Sequence, residues 1–380
     1  MAGVLLFSRL MKICIVLDSL IRAGAERQAV LAIGELCRQG YDADLVYYNQ
    51  AIDPYEINAG GKTRILYLPK RRTYLRFLWK LTRFLRRGRY DVVHAFLGGT
   101  TLYVSVAGRL ARVPVVFGGI RAEYDVKGLI RVLHRICNRL LTGWIVNSNA
   151  TVRSMLPGVG ATPDRVHVVY NGIDPTAFAS QLSAAEAKQK LGIPAGISVV
   201  LIVARLTAQK NIHLFLEMAA DVTASRPSAR FVIAGDGELR SELEAYSREL
   251  RLSDRVLFLG NRADIPDILR AADVLTLTSH YEGMANTLLE AMAVGLPFVS
   301  TAYAGVEELV THDREGLIVP LRDRAAMTGA VLRVLDDPDL AQRMGEAGRE
   351  TVTKRFTIKA MGARMYSVYR DAFDRTCKSA

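Results

Sequence analysis

Short runs of β-branched and other apolar residues alternate with amphipathic helical stretches along the whole chain. KICIVL (12–17), DADLVYY (42–48), RILYLP (64–69), DVVHAF (91–96), VPVVFGG (113–119), GWIVNS (143–148) and VHVVYN (166–171) are too short for core helices and mostly lack a polar alternation. Buried parallel strands joined by crossover helices, the first beginning near Gly24, satisfy that pattern. The pattern then restarts. A polar stretch, Asp174–Pro194, carries a helix over 183–191 and is followed by SVVLIVARL (198–206), ARFVIAG (229–235), RVLFLG (255–260), DVLTLTS (273–279), PFVST (297–301) and EGLIVP (315–320). No sequence repeat accompanies the restart, so only the pattern is duplicated. The 380 residues exceed one ordinary core. Two successive doubly wound α/β units, 1–175 and 176–359, with an amphipathic C-terminal helix from about 356 to 372, are the expected architecture.

The net charge of +12 is unevenly placed. Residues 1–175 hold 25 Lys/Arg against 12 Asp/Glu, and residues 176–380 hold 25 against 26, so the excess of +13 in the first half meets −1 in the second. A one-sided basic surface implies an anionic partner. The densest part, KRRTYLRFLWKLTRFLRRGR (70–89), has nine basic residues and no acid. On a helical wheel Tyr74, Phe77, Leu78, Leu81, Phe84 and Leu85 share a face opposed by Arg76, Lys80, Arg83, Arg86 and Arg87, with Leu75 and Trp79 at the border. This is the makeup of an interfacial helix on an anionic membrane; the bland alternative packs the apolar face on the sheet and leaves the basic face solvated.

The opening stretch MAGVLLFSRLMKICIVL is interrupted by Arg9 and Lys12 and reads better as a strand from Lys12 than as a signal peptide, with Met11 a candidate start. No run approaches ~18 uncharged apolar residues, so no membrane-spanning helix is expected. Cys14, Cys37, Cys137 and Cys377 show no disulfide or zinc spacing, which suits a cytoplasmic protein.

Chemistry concentrates in HYEGMANTLLEAMAVGLPFVST (280–301). Glu282 and Glu290 are eight apart, and on one helix they would lie about two turns apart on one face. Carboxylates accept paired hydroxyl hydrogen bonds, which sugars and ribose supply. In VARLTAQKN (203–211), Arg205 ends a strand and Lys210 opens the next helix. Two cations at a helix N-terminus make a diphosphate site without metal.

The 280–301 string resembles the E-x(7)-E signature of glycosyltransferase family 4 (glycosyltransferases group 1). AGAER (23–27), DVVHAF, VPVV (113–116), VNS (146–148), VVYNGID (168–174), VARLTAQKN, IAGDGE (233–238) and FLGNRADIP (258–266) match in order. The resemblance implies the GT-B fold: two Rossmann-like doubly wound domains facing a central cleft, with the C-terminal helix (about 360–380) crossing back to the first. It implies a retaining, metal-independent hexosyltransferase in polysaccharide biosynthesis, with a UDP-sugar favoured over a GDP-sugar. The second domain would bind the donor and the first the acceptor, a lipid-linked or cell-surface glycan.

Under that resemblance Arg205 and Lys210 stabilise the leaving diphosphate, and Glu282 positions the donor sugar. Gly24, Asp236, Gly237, Arg262, Gly283, Met284, Ala285, Asn286 and Glu290 bind the rest of the donor, Glu290 at the ribose. Asp18, His94 and Arg121 are acceptor-side candidates. The chain departs from the family in having Ala23-Gly24 for two glycines, Phe96 for the second His of its HAH-like element, and GGIRAEYD where relatives carry another His.

No cofactor, metal or nucleic-acid partner is expected. The DxD string Asp42-Ala43-Asp44 reads as a solvated strand end, no GxGxxG is present, and the histidines lack ligand spacing. The expected location is the inner face of the cytoplasmic membrane, held peripherally through Arg76, Trp79, Lys80, Arg83 and Arg87. Two alternatives stand beside this reading: a GT-B nucleotide-sugar 2-epimerase and a non-enzymatic basic membrane or nucleic-acid binding module.

Overall fold

The structure, a computed structural model, describes residues 11–21, 24–49, 64–70, 74–121 and 127–378. The opening stretch 1–10, Ala23 of the glycine turn, Arg71 and Arg72 of the basic run, and the segment after Arg121 lie outside the described residues. The chain forms two compact units: Met1–Gly172 with Ile358–Ala380, and Ile173–Thr357. The join falls slightly before residue 175 because Ile173 already belongs to the second unit. Its N–H donates to the Phe356 carbonyl at 2.8 Å, and it bridges to Thr357.

Unit 1 runs β1 (Lys12–Leu17), α1 (Gly24–Arg38), β2 (Asp42–Tyr47), β3 (Arg64–Tyr67), α2 (Tyr74–Gly88), β4 (Val92–Ala95), α3 (Gly98–Leu110), β5 (Val115–Ile120), α4 (Gly128–Leu140), β6 (Gly143–Val146), α5 (Asn149–Val159) and β7 (Val166–Val168). Its sheet has the order β3-β2-β1-β4-β5-β6-β7, and every pairing is parallel. Unit 2 runs α6 (Ala184–Lys190), β8 (Val199–Val203), α7 (Ile212–Ser225), β9 (Arg230–Ala234), α8 (Arg240–Glu249), β10 (Val256–Gly260), α9 (Ile265–Ala271), β11 (Val274–Leu277), α10 (Asn286–Val294), β12 (Phe298–Thr301), β13 (Leu317–Val319), α11 (Arg324–Asp336) and α12 (Pro338–Arg355). Its sheet, β10-β9-β8-β11-β12-β13, is also parallel throughout. The chain closes with α13 (Ile358–Lys378), which packs beside α1 in unit 1.

Every apolar run singled out in the sequence is a strand. The reason is visible in the cores of unit 1. Alternate residues of one strand enter opposite layers: Ile13, Ile15 and Leu17 join a core with α1 and α13, while Cys14 and Val16 join one with α2, α3 and α5. A strand buried on both faces has no polar alternation to show. Local chemistry sets the helix ends. α6 starts where Ser183 Oγ accepts from Glu186 N–H at 3.3 Å and Glu186 Oε2 accepts from Ser183 N–H at 2.8 Å, a reciprocal capping box.

The DxD reading needs correction. Asp42 does open β2, but Asp44 is not a solvated strand end: it is fully buried. Its carboxylate accepts from Arg64 Nε and Nη2 at 3.1 and 2.8 Å and from the Tyr90 hydroxyl at 2.5 Å. Burial in the sheet requires that saturation.

Four histidines, His94, His134, His167 and His280, are held below their ordinary pKa, mainly by burial. Above pH ~6.5 both folded and unfolded states keep them neutral; below it the unfolded chain takes protons that the folded one refuses. Stability should therefore fall as pH drops from 7 to 5, by up to about 1.4 kcal/mol per pH unit for each excluded proton. Urea midpoints at the two pH values check this. His94→Gln should narrow the difference, and an unchanged difference would assign the acid sensitivity to other groups.

Candidate functional site

In each sheet the strand order reverses once, between β1 and β4 in unit 1 and between β8 and β11 in unit 2. Doubly wound sheets place ligands beyond the carboxyl ends of the strands at such points. In unit 2 that position is occupied by VARLTAQKN, leaving β8, and by the segment leaving β11. Lys210 Nζ meets Glu282 Oε1 at 2.5 Å. Glu282, buried, also accepts from Ser279 Oγ at 2.6 Å and from Gln209 Nε2 at 3.4 Å.

The two segments are sewn together along their backbones as well. His280 N–H donates to the Gln209 carbonyl, Gln209 Nε2 to the Tyr281 carbonyl, and Thr278 Oγ1 to the Lys210 carbonyl at 2.7 Å. Asn211, directly after Lys210, adopts the left-handed conformation with φ +47. That geometry is disfavoured for most side chains and tolerated by Asn.

The sequence placed Glu282 and Glu290 on one helix, and the structure corrects this. α10 starts at Asn286, so Glu290 is helical while Glu282 lies on the segment before it. The chain is still extended at Ala285, with ψ 102, so the eight-residue spacing does not act as a helical period. Gly283, Met284 and Ala285 lead into α10, whose first turn has no side-chain cap. Backbone N–H groups there suit an anion. Glu290 is buried on α10.

IAGDGE follows β9 and is stitched to VARL: Ala204 N–H bonds the Ala234 carbonyl, Leu206 N–H the Asp236 carbonyl, and Leu239 N–H the Leu206 carbonyl. The approach needs glycine. A Cβ on Gly235 (φ +139) would come within 1.9 Å of the Ala204 carbonyl oxygen, and one on Gly237 within 2.4 Å of that of Leu206. Asp236 accepts from Arg240 Nη1 at 3.1 Å. Arg262 is engaged by Asp264 through Nε and Nη2 at 2.7 and 2.6 Å, which holds the Asp264 carboxyl far below the usual range. Arg205, by contrast, is exposed. Lys210 and Glu282 are thus brought into contact, while Arg205, on the same segment leaving β8, has no side-chain partner among the described residues.

In unit 1 the carboxyl edge carries Asp18 after β1, Arg121 after β5 and, at the end of β4, His94. Gly24 opens α1. Asp18 Oδ1 accepts from Ser19 N–H at 2.8 Å. His94 is fully buried; its Nδ1 shares a 2.7 Å hydrogen bond with the Tyr369 hydroxyl. It lies under the edge, where it can position its neighbours without touching solvent. Arg121 Nη1 donates to Asn171 Oδ1 at 2.9 Å.

The basic helix is also corrected. The stripe expected to enter a membrane is core: Phe77, Leu81 and Leu85 are buried, with Leu78 and Phe84 packed against the same cluster. Tyr74, Leu75 and Trp79 remain outside, at 60%, 75% and 61% exposure, with Arg76, Arg83 and Arg87 exposed and Lys80 half-buried. The sequence reading missed α4. Leu129, Ile130, Val132 and Ile136 are exposed on it, among Arg131, Arg135 and Arg139. α2, α3, α4 and α5 pack successively along one face of the sheet, and none of them contains an acidic residue. The signal was available: no Asp or Glu occurs between Lys127 and Pro163.

Comparison with known proteins agrees with this architecture. The structure is similar to the crystal structure of Anabaena HepE in complex with UDP, with a TM-score of 0.82 at 21% identity, covering 95% of this chain and 100% of that one. It is also similar to WaaG, a glycosyltransferase involved in lipopolysaccharide biosynthesis, with a TM-score of 0.72 at 18% identity, covering 96% and 99%. The fold is therefore that of the GT-B glycosyltransferases.

In sequence, the model for glycosyl transferases group 1 matches residues 183–351 and that for Glycosyltransferase Family 4 matches residues 22–177. An Escherichia coli UDP-Gal:alpha-D-GlcNAc-diphosphoundecaprenol alpha-1,3-galactosyltransferase is 31% identical over 308 residues, 78% of this chain and 79% of that protein. A D-inositol 3-phosphate glycosyltransferase of Thermobispora bispora is 30% identical, over 76% and 72%. The chain belongs to glycosyltransferase family 4, group 1, and is a glycosyltransferase. The non-enzymatic alternative falls away, and nothing among the described residues favours the epimerase.

The Lys210–Glu282 pair is shielded from water, with side chains 16% and 9% exposed, so removing one partner strands the other charge. Lys210→Met and Glu282→Gln should each lower stability to urea, and the double variant should recover part of the loss. The expected coupling is about 0.5–3 kcal/mol, and strict additivity would show that the pair is not interacting. Catalytic activity should not recover in the double variant.

Proposed function

We propose that the protein is a retaining, metal-independent glycosyltransferase that moves a hexose from a UDP-sugar to a hydroxyl of a lipid-linked glycan in surface polysaccharide assembly. The observation that carries this is the Lys210–Glu282 contact at the unit 2 switch point, on the segments that also carry exposed Arg205 and lead into α10. Arg205 and Lys210 bind the donor diphosphate, together with backbone amides at Gly283–Asn286. Glu282, held rigid by Lys210 and Ser279, orients the sugar; Glu290 accepts from the ribose hydroxyls; Asp236, Gly237 and Arg262 line the donor side. The Escherichia coli relative named for UDP-Gal and a diphosphoundecaprenol acceptor, and the UDP bound to HepE, support UDP and a lipid-linked acceptor over GDP and a free glycan.

In the reaction the bond from the anomeric carbon to the diphosphate oxygen breaks, and the acceptor hydroxyl oxygen bonds that carbon on the same face. Its proton passes to the departing phosphate, whose growing negative charge Arg205 and Lys210 stabilise. No protein nucleophile is required. Unit 1 supplies the acceptor side, with Asp18 and Arg121 at its edge and His94 supporting them from below.

The acid-free layer of α2 to α5 supports peripheral attachment to the inner face of the cytoplasmic membrane. Apolar side chains on α2 and α4 enter the headgroup region while arginines meet anionic lipid. No helix among the described residues is long and apolar enough to cross a membrane.

Two measurements test this reading. UDP should raise the thermal midpoint more than GDP, and turnover should survive excess EDTA. A rate lost to EDTA and restored by manganese would contradict the two-cation mechanism, and a larger shift with GDP would change the donor. For the membrane, Trp79 is exposed and Trp144 fully buried, so intrinsic fluorescence reports on α2. Its emission should shift to the blue with phosphatidylglycerol vesicles but not with phosphatidylcholine vesicles, and the shift should weaken as salt rises. Replacing Arg76, Lys80, Arg83 and Arg87 by Gln should abolish it. Equal emission with and without anionic vesicles would remove the membrane claim.

A further inference from the structure

Arg121 is a half-buried cation with no carboxylate partner among the described residues. It directly follows β5, and the ends of the neighbouring strands gather on it. Its Nη1 donates to Asn171 Oδ1 beyond β7 at 2.9 Å. Its carbonyl accepts from Asn147 Nδ2 beyond β6 at 3.3 Å. Its guanidinium carbon lies 3.7 Å from the centre of the Phe96 ring beyond β4. Gln28 of α1 fixes the Asn171 side by a two-way bond to Gly172, at 3.0 and 2.9 Å. The remaining guanidinium donors, Nε and Nη2, are buried atoms with no hydrogen-bond partner among the described residues, and the same holds for Nε2 of His94.

The protein shows elsewhere what that edge of an arginine is for. Arg64 presents Nε and Nη2 to the two carboxylate oxygens of Asp44, Arg262 to those of Asp264 and Arg324 to those of Asp221. Side-on pairing with two anionic oxygens is the strong, geometrically selective mode of a guanidinium. At Arg121 no carboxylate plays this part among the described residues. Burial pulls its pKa down to about 9, opposed in part by the Tyr369 phenol. A cation with two buried, unsatisfied donors weakens the unliganded fold, and an arriving anion would relieve that cost.

We propose that the Nε–Nη2 edge of Arg121 receives a pair of anionic oxygens, phosphoryl or carboxylate, carried by the acceptor substrate. Assignment to the acceptor rests on the role proposed for unit 1; anion binding at Arg121 does not. The site selects acceptors bearing an acidic group near the hydroxyl that is glycosylated, and the stacking on Phe96 and the bond to Asn171 hold the fork in place for them.

The test uses the full chain saturated with UDP, so that the diphosphate site of unit 2 is filled, and follows the thermal midpoint with phenyl phosphate, benzoate, inorganic phosphate and uncharged phenyl glucoside. At about ten times its Kd, phenyl phosphate or benzoate should raise the wild-type midpoint by about 3–6 °C, with inorganic phosphate weaker and the glucoside inert. Arg121→Gln should abolish the shift and leave the unliganded midpoint equal to or above wild type. Arg121→Lys, which keeps the charge without the fork, should lose most of the shift.

The proposal is overturned if wild type responds to no anion or if both variants shift as wild type does. An unliganded Arg121→Gln that is less stable than wild type would mark the side chain as a structural clamp and overturn it too. An inorganic phosphate shift equal to that of phenyl phosphate would make this a free-anion site and remove the acceptor. Failure of the donor reading shows separately, as the absence of any shift with UDP.

Discussion

Parallel strand pairing is the constraint from which the rest of this protein follows. A parallel pair cannot be closed by a tight turn, so each strand must be followed by a crossover. Handedness then sends helices to both faces of the sheet and returns every strand in the same direction. All carboxyl ends in a unit therefore share one edge, and where the order reverses, two departing segments diverge and leave room between them. In unit 2 those segments leave β8 and β11, and they bring together Lys210 and Glu282, which are 72 residues apart. In unit 1 the same rule gathers Phe96, Arg121, Asn147 and Asn171 from the ends of four different strands.

The two edges are finished differently. At the unit 2 edge the buried carboxylate is matched: Glu282 is held by Lys210 and Ser279, and glycines at 235 and 237 let one loop lie against another's carbonyls. The result is a stiff carboxylate with cations alongside, as required for stabilising a leaving diphosphate without reorganisation at the moment of reaction. At the unit 1 edge two donors of Arg121 are left without a partner among the described residues. Fixed neighbours around a donor pair without a partner describe a site whose stability depends on what arrives.

Much of this could be read in the sequence, and the failures have physical causes. The thirteen strands were visible because a strand buried on both faces is a plain apolar run. Most of the runs extend past the strand end by a residue or more, since chain leaving a parallel strand keeps its flanking residues, as at Asn147 and Asn171, whereas KICIVL matches β1 at both ends. Glu282 was misplaced because eight residues fits two helical turns, whereas the chain remains extended until Asn286. The apolar stripe of α2 fits either a membrane face or a packed one, since a wheel shows amphipathicity but not which side meets the sheet. Exposure of Leu129, Ile130 and Ile136 on α4 needed the packing of α3 against it, although the missing acids between Lys127 and Pro163 hinted at it. The unpartnered edge of Arg121 could not be seen from sequence at all, because it depends on what four strand ends fail to supply.

The account rests most heavily on unit 2 as the donor site, with Glu290 at the ribose and Glu282 at the sugar. Calorimetric titration of UDP against Glu290→Gln and Glu282→Gln tests that division directly. Glu290→Gln should weaken UDP binding by roughly tenfold or more, the loss expected for a charge-assisted hydrogen bond worth about 1.5–3 kcal/mol. Glu282→Gln should bind UDP at least as tightly as wild type, since Lys210 is released toward the diphosphate, while its turnover collapses. Equal loss of UDP affinity in the two variants, or none in Glu290→Gln, would contradict the assignment.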